Sequence, residues 1–277
     1  MVAYLIILTI TSAIVLSFIP RAYKLAWSLD FIRQKIRLEA VEPVTTQIAL
    51  DELTAENGYT INQSLMLINT EFMLDEGFRA DTGEYKDTGV YMNQCMIESF
   101  SRLSEAVTEN SKDRLYVTST VRSEKEQQEL YNEDPDTATL PGASEHQVGL
   151  AADVYVKNFA GETFLESEAG QFVNTHCQEY GFIIRYPHYG TKDTGIRFEP
   201  WHIRYVGLPH SNIIYNNKLT LEEYIFSLEE DAFYRTDNYI ITRQKPKNGS
   251  ITLPLNCKNY VISQDNTGCY IITAESL

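Results

Sequence analysis

The chain has 277 residues, 43% hydrophobic and 22% charged, which describes a globular chain and excludes a disordered one. Its 23 Lys and Arg against 38 Asp and Glu give a formal net charge of -15. That balance excludes a nucleic-acid partner, since phosphate binding needs a cationic surplus.

From Met1 to Pro20 no residue is charged, and the run from Leu5 to Ile19 is apolar apart from small hydroxyls. About 20 such residues span a bilayer core as a helix, so a transmembrane anchor is expected over 1–20. A plain soluble cytosolic protein is thereby excluded. No basic start precedes the run and no small-x-small site follows it, which argues against a cleaved signal peptide. Arg21, Lys24, Arg33, Lys35 and Arg37 lie beyond it, and the positive-inside rule would keep the remainder cytoplasmic. Residues 21–59 read as a juxtamembrane linker, acidic and polar over 38–59.

Residues 60–230 carry the pattern of one compact domain with helices and strands mixed. A helix is expected over 92–108, where Met96, Ile97, Phe100, Leu103 and Val107 fall at helical spacing. Residues 115–119 are β-prone. The next helix, 123–131, opens with Ser123 as cap and Glu126 as capping-box partner. After a loop at 135–142, residues 150–156 read as a strand buried on both faces. A helix over 166–180 stops at Gly181, short strands follow at 182–185 and 202–206, and a helix over 219–229 closes the domain. Residues 231–277 alternate short β-prone runs with Asn248-Gly249 and Thr267-Gly268 turns, a small β appendage.

Two segments carry chemistry: Ser144 to Asp153 (SEHQVGLAAD) and Glu199 to His202 (EPWH). A catalytic zinc typically takes three N or O protein ligands and keeps a fourth position for water. His146, Asp153 and His202 supply such a set, with Glu199 beside it as general base. Asp153 lies in an apolar run where a lone carboxylate is costly to bury. Zinc is one partner for it; Arg122 or Arg204 is the alternative. Gly149 permits close backbone approach just before the strand. Pro200 holds Glu199 extended, so Glu199 and His202 must converge from an extended or turned segment rather than a helix. His188 reads as surface loop, His176 as a helix-face residue and His210 as a turn. Cys257 and Cys269 flank a polar turn, and a disulfide or two thiols fit equally; no cysteine cluster suggests a metal site.

The complete pattern is more specific than its parts. Ser144-x-His146-x-x-Gly149-x-Ala151-x-Asp153, followed by Glu199-x-x-His202 and preceded by an Arg-bearing segment, resembles the D-Ala-D-Ala metallopeptidases. The runs Gly181 to Pro187 and Glu199 to His210 look like the VanY-type D-alanyl-D-alanine carboxypeptidases of glycopeptide-resistance systems. The resemblance covers about residues 60–230. It implies one catalytic Zn2+ on His146, Asp153 and His202, and Glu199 as base. It implies Arg122 as the group that stabilises the oxyanion. Gln127 and Ser144 would hold the terminal carboxylate and backbone of the substrate. Trp201, read by itself, packs beside the metal or forms a pocket wall. Thr120-Val121 replaces the family's usual Gly-Tyr beside Arg122, which bears on pocket shape more than on chemistry.

The expected fold is therefore α+β: a small antiparallel sheet with flanking helices around a zinc site, an N-terminal membrane helix and a small C-terminal β appendage. The expected function is removal of the terminal D-Ala from peptidoglycan stems ending in D-Ala-D-Ala, with a role in vancomycin resistance and wall remodelling. A D-Ala-D-Ala dipeptidase, an L,D-carboxypeptidase or a non-catalytic wall-binding module on the same fold are the alternatives. Substrate location places the domain outside a single-pass anchor, against the positive-inside bias.

Overall fold

The computed structural model describes residues 34–135 and 138–277. The anchor expected over 1–20 lies outside the described residues, among which no helix is long and apolar enough to cross a membrane. In chain order the elements are β1 (Glu39–Val41), β2 (Thr45–Ala49), β3 (Thr60–Asn62), β4 (Thr82–Glu84), β5 (Tyr91–Asn93), α1 (Ile97–Ser111), β6 (Tyr116–Ser119) and α2 (Glu124–Glu133). There follow β7 (Ala151–Tyr155), α3 (Glu168–His176), β8 (Phe182–Ile184), α4 (Thr191–Thr194), β9 (His202–Tyr205), α5 (His210–Asn217) and α6 (Leu221–Ser227). The chain closes with β10 (Phe233–Thr236), β11 (Tyr239–Gln244), β12 (Ser250–Pro254), β13 (Cys257–Gln264) and β14 (Tyr270–Ser276).

The central element is a four-stranded antiparallel sheet in the order β6-β7-β9-β8. Ala152 and Val154 of β7 point into a core with Phe100, Leu103, Phe164, Val173 and Phe182. That core joins α1 and α3 to one face of the sheet. The strand is not buried equally on both faces as its sequence suggests: Asp153 and Tyr155, on the other side, are only partly buried. Strand register places Asp153 opposite His202 on one neighbour and opposite Ser119 on the other. Directly opposed residues project to the same face with Cβ atoms about 5 Å apart, so pairing alone brings a carboxylate beside an imidazole.

Helix α1 starts five residues later than the periodicity predicts. Tyr91 to Asn93 pairs with β4 instead, and the Asn93 side chain accepts a hydrogen bond from the Cys95 amide to begin a 3-10 turn. Helix α2 opens as its sequence dictates: Ser123 caps it and forms the reciprocal capping box with Glu126. The helix expected over 166–180 is shorter, with 3-10 turns on either side of α3, and ends at Gly181 in the left-handed region.

The expected linker and appendage form one structure. β1 and β3 lie at the two ends of a six-stranded sheet in the order β1-β10-β11-β14-β13-β3, and β2 pairs with β12. Residues 38–59 look like linker because these edge strands are largely exposed; backbone pairing, rather than an apolar face, defines them. Ile241 and Ile271 of this sheet share a core with Leu65, Leu67, Ile183 and Val206 and with residues of α5 and α6. Helix α5 itself is unexpected. His210 opens it rather than marking a turn, and is buried between the Tyr224 hydroxyl (2.6 Å) and the Thr273 hydroxyl (2.8 Å). Cys257 and Cys269 are not joined by a disulfide.

Candidate active site

His146 sits on a 3-10 turn, Glu145–Gln147, whose backbone is tied to the β6 exit by the Arg122 amide donating to the His146 carbonyl at 3.0 Å. Its Nδ1 lies 2.7 Å from the Thr120 carbonyl. A carbonyl can only accept, so Nδ1 carries the proton and Nε2 keeps its lone pair. That Nε2 lies 3.3 Å from Oδ2 of Asp153, while Nδ1 of His202 lies 3.0 Å from Oδ1 of the same carboxylate. The two rings stand nearly perpendicular, with centroids 5.0 Å apart. One donor atom from each of the three residues falls within 4.8 Å of the others.

The three groups are strongly coupled in charge. Burial opposes ionisation of Asp153, yet the two imidazoles outweigh it and hold the carboxyl well below its ordinary range. Burial lowers His146. His202 is also buried, but Asp153 and Glu145 overcome that and push it up to about 9. Two buried nitrogens and a carboxylate form the N/O donor set of a catalytic zinc, so the residues present fit this metal.

Glu199 reaches the same point by a turn. The His202 amide donates to the Glu199 carbonyl at 3.2 Å across Pro200 and Trp201, a four-residue reversal with proline at its second position. The Glu199 amide is anchored to the Tyr186 carbonyl at 3.1 Å. This places Glu199 Oε2 3.8 Å from Nδ1 of His202, with the side chain 20% exposed. Burial raises its carboxyl above the ordinary value, and Asp153 adds to this against the pull of His202.

Arg122 enters from the β6 side. Its Nη1 donates to Gln127 Oε1 at 2.8 Å and its Nη2 to Ser119 Oγ at 2.9 Å. Gln127 is fully buried and its Nε2 donates to the Thr139 carbonyl at 2.7 Å. Both ends of that amide are engaged, at Arg122 and at Thr139, so Gln127 braces Arg122 from the cavity wall. Ser144, Trp201, Tyr186 and Ile196 complete a cavity of about 170 Å³ around the three donors, Glu199 and Arg122. The Arg197 guanidinium lies over Trp201, 6.0 Å from the ring centroid. His188 is exposed and His176 stacks on Phe172, both outside the cavity.

Of the two alternative partners for Asp153, Arg204 turns away to Glu145, and Arg122 hydrogen-bonds Gln127 and Ser119. Glu145, beside the first candidate ligand, belongs to a buried ion cluster that the motif spacing does not indicate. Its Oε1 accepts from Arg185 Nε and from Arg204 Nη1, each at 2.6 Å. Arg185 in turn makes a two-pronged contact with Glu222 of α6, at 2.6 and 2.9 Å. The signal was present. Arg185 and Arg204 are single cations in apolar strand segments, and a buried guanidinium requires a carboxylate.

Comparison with known proteins agrees with this geometry. The family model described as VanY, D-alanyl-D-alanine carboxypeptidase, matches residues 89–208. A D-alanyl-D-alanine carboxypeptidase of Enterococcus faecium is 35% identical over 197 residues, 66% of this chain and 61% of that protein. The chain thus matches about three fifths of that relative's length. VanXYC of Enterococcus gallinarum, a bifunctional D-Ala-D-Ala dipeptidase and carboxypeptidase, is 40% identical over 149 residues, 49% of this chain and 77% of the relative. Among solved structures, a vancomycin-resistance D,D-pentapeptidase VanY from a VanB-type cassette, in complex with Zn(II), superposes with a TM-score of 0.53 at 28% identity. It covers 58% of this chain and 98% of its own.

Proposed function

Because the chain belongs to the VanY family of D-alanyl-D-alanine carboxypeptidases, we propose that it is a zinc-dependent D,D-carboxypeptidase that removes the terminal D-Ala from peptidoglycan stems ending in D-Ala-D-Ala. The observation that carries the reading is the convergence of His146 Nε2, Asp153 and His202 Nδ1 beside a part-buried Glu199 and a braced Arg122. His146, Asp153 and His202 would hold the metal. Zinc bound there would supply Lewis-acid polarisation of the scissile carbonyl and a bound water whose pKa is lowered to about 7.

The chain's own groups do the rest. Glu199, with a carboxyl raised by burial, takes the proton of the attacking water and returns it to the leaving amine. The Arg122 guanidinium, fixed by Gln127 and Ser119, faces the oxygen on which negative charge develops. Ser144 and the Trp201 ring line the space left for the terminal residue. Loss of the terminal D-Ala would lower binding by glycopeptide antibiotics that recognise D-Ala-D-Ala, which ties the reading to vancomycin resistance. We further propose that the apolar run over 1–20 anchors the domain beside its substrate on the outer membrane face. Protease shaving of intact cells that spared the domain would overturn that placement.

D-alanine release from a peptide ending in Lys-D-Ala-D-Ala tests the activity. Release abolished by a chelator and restored by zinc is expected, and Glu199→Gln should lose turnover while keeping zinc. Absence of release in the presence of zinc refutes the D,D-carboxypeptidase, and release from free D-Ala-D-Ala or from tetrapeptide stems instead would identify the dipeptidase or the L,D-enzyme.

A further inference from the structure

The ion cluster behind the metal donors is asymmetric. Both guanidinium groups that contact Glu145 use one oxygen, Oε1, at 2.6 Å each. Glu145 Oε2 has no hydrogen-bond partner although it is buried. A carboxylate whose only task was to neutralise two arginines would share both oxygens in fork-like pairs, the stronger arrangement. Another buried polar atom without a hydrogen-bond partner is Nε2 of His202, and it faces Glu145 Oε2 at 3.8 Å. The opposite nitrogen of that ring, Nδ1, is the one aimed at Asp153.

We propose that Glu145 is the positioning residue of the metal centre: its Oε2 receives the Nε2–H of His202 and so commits Nδ1 to the metal. An imidazole ligand needs its other nitrogen protonated and held, or the ring can rotate or present the wrong tautomer. His146 obtains this from the Thr120 carbonyl. His202 lies on β9 with its far nitrogen turned inward, where Glu145 is the acidic group that meets it. Arg185 and Arg204 keep that carboxylate ionised in a dry setting, and Glu222 matches the second positive charge. A negative partner also raises the basicity of the ring and so strengthens it as a metal ligand. The chain from α6 through Arg185 and Glu145 to His202 thus ties the metal centre to the rigid packing of the C-terminal half.

The inference rests on the zinc reading of the site, and the test separates the two. Zinc affinity is measured by competition with a chromophoric chelator for the unaltered protein, Glu145→Asp, Glu145→Gln and Glu222→Gln. Failure of the unaltered protein to bind zinc would remove the zinc reading itself. If it binds, both Glu145 variants are expected to bind about 10- to 100-fold more weakly. Glu222→Gln, which loosens the far end of the same cluster, should lower thermal stability and leave zinc affinity unchanged. A merely structural cluster predicts that stability falls in all three variants with zinc affinity untouched, and that outcome overturns the proposal. Should the Glu145 variants fail to fold, the unaltered zinc-loaded protein decides. Its long-range 1H–15N spectrum must show the His202 Nε2 proton shifted downfield by a hydrogen bond to a carboxylate, and an unshifted Nε2 proton, or a proton on Nδ1, refutes the assignment.

Discussion

Asn174 and Pro200, on different elements, are joined by a buried hydrogen bond: the Asn174 Nδ2 donates to the Pro200 carbonyl at 2.8 Å. The same amide donates to the Gly170 carbonyl at 2.9 Å within α3. Helix α3 therefore grips the turn that carries both Glu199 and His202. Asn174→Ala leaves a buried carbonyl unpaired, which costs about 1–3 kcal/mol of stability. Because the turn sets the approach of Glu199, turnover of D-Ala-D-Ala peptide should fall more than the folded fraction does. Parallel thermal unfolding and kcat measurements check this, and a loss of kcat that simply tracks unfolding would show that the grip has no bearing on catalysis.

Arg122 and Gln127 offer a graded pair. Arg122→Ala removes the cation that faces the developing oxyanion, and kcat should fall about 10²- to 10³-fold, the loss typical of one such donor. Gln127→Ala removes the strut at 2.8 Å from Nη1 and the bond to the Thr139 carbonyl, leaving Ser119 to hold Nη2. Its effect should be smaller and in the same direction, and nearly absent when Arg122 is already missing. Zinc content by metal analysis should be unchanged in all three proteins. A Gln127→Ala effect that persists undiminished in the Arg122→Ala background would show that Gln127 meets substrate by itself.

The parts of the site that depend on local rules were legible in the sequence. Two histidines, an aspartate and a glutamate at fixed spacings, a proline before the last turn, and a Ser123/Glu126 cap all act over a few residues. What escaped is held across the chain. Glu145 meets Arg185 and Arg204 from 40 and 59 residues away, and only tertiary packing shows that those lone cations share one carboxylate oxygen. Residues 38–59 look like linker because their strands are exposed edges, with pairing supplied by backbone groups that any side chain possesses. Helix α5 is poor in apolar residues, and part of its C-terminal anchoring, Asn217 bonding to the Ile36 backbone, again spans the chain.

His210 makes folding stability depend on pH well away from the metal. Burial pushes its imidazole down to about 3. In the unfolded chain the ring titrates at about 6.5. Above that value neither state binds the proton, and the contribution of His210 to stability is complete. As pH falls below it, the unfolded chain takes up a proton that the folded chain refuses until about pH 3, so stability declines throughout that window. Between pH 6.5 and pH 5 the loss amounts to about 2 kcal/mol, at roughly 1.4 kcal/mol per unit. Urea unfolding of the unaltered protein and of His210→Gln at both pH values isolates this, since metal and carboxylate contributions are common to both and cancel. The difference in stability between the two proteins should shrink by that amount on acidification; a constant difference would mean that His210 is protonated within the fold.

Gly149 links the first ligand segment to β7 and tolerates no side chain. Its φ is +71°, in the region that L-residues rarely adopt. A Cβ there would lie 3.0 Å from the Asn93 amide nitrogen and 3.0 Å from a Val121 methyl. The Asn93 amide donates to the Gly149 carbonyl at 2.8 Å, so the close approach is part of the pairing that sets β5 against the site. Backbone strain alone costs about 1–2 kcal/mol in Gly149→Ala, and displacement of Asn93 or Val121 adds to it. Val121 precedes Arg122, and Gly149 follows His146 by three residues. The displacement therefore reaches Arg122 and His146 together. Zinc affinity and kcat should both fall in the folded Gly149→Ala protein, whereas a loss of stability alone, with both unchanged, would confine the role of this glycine to the fold.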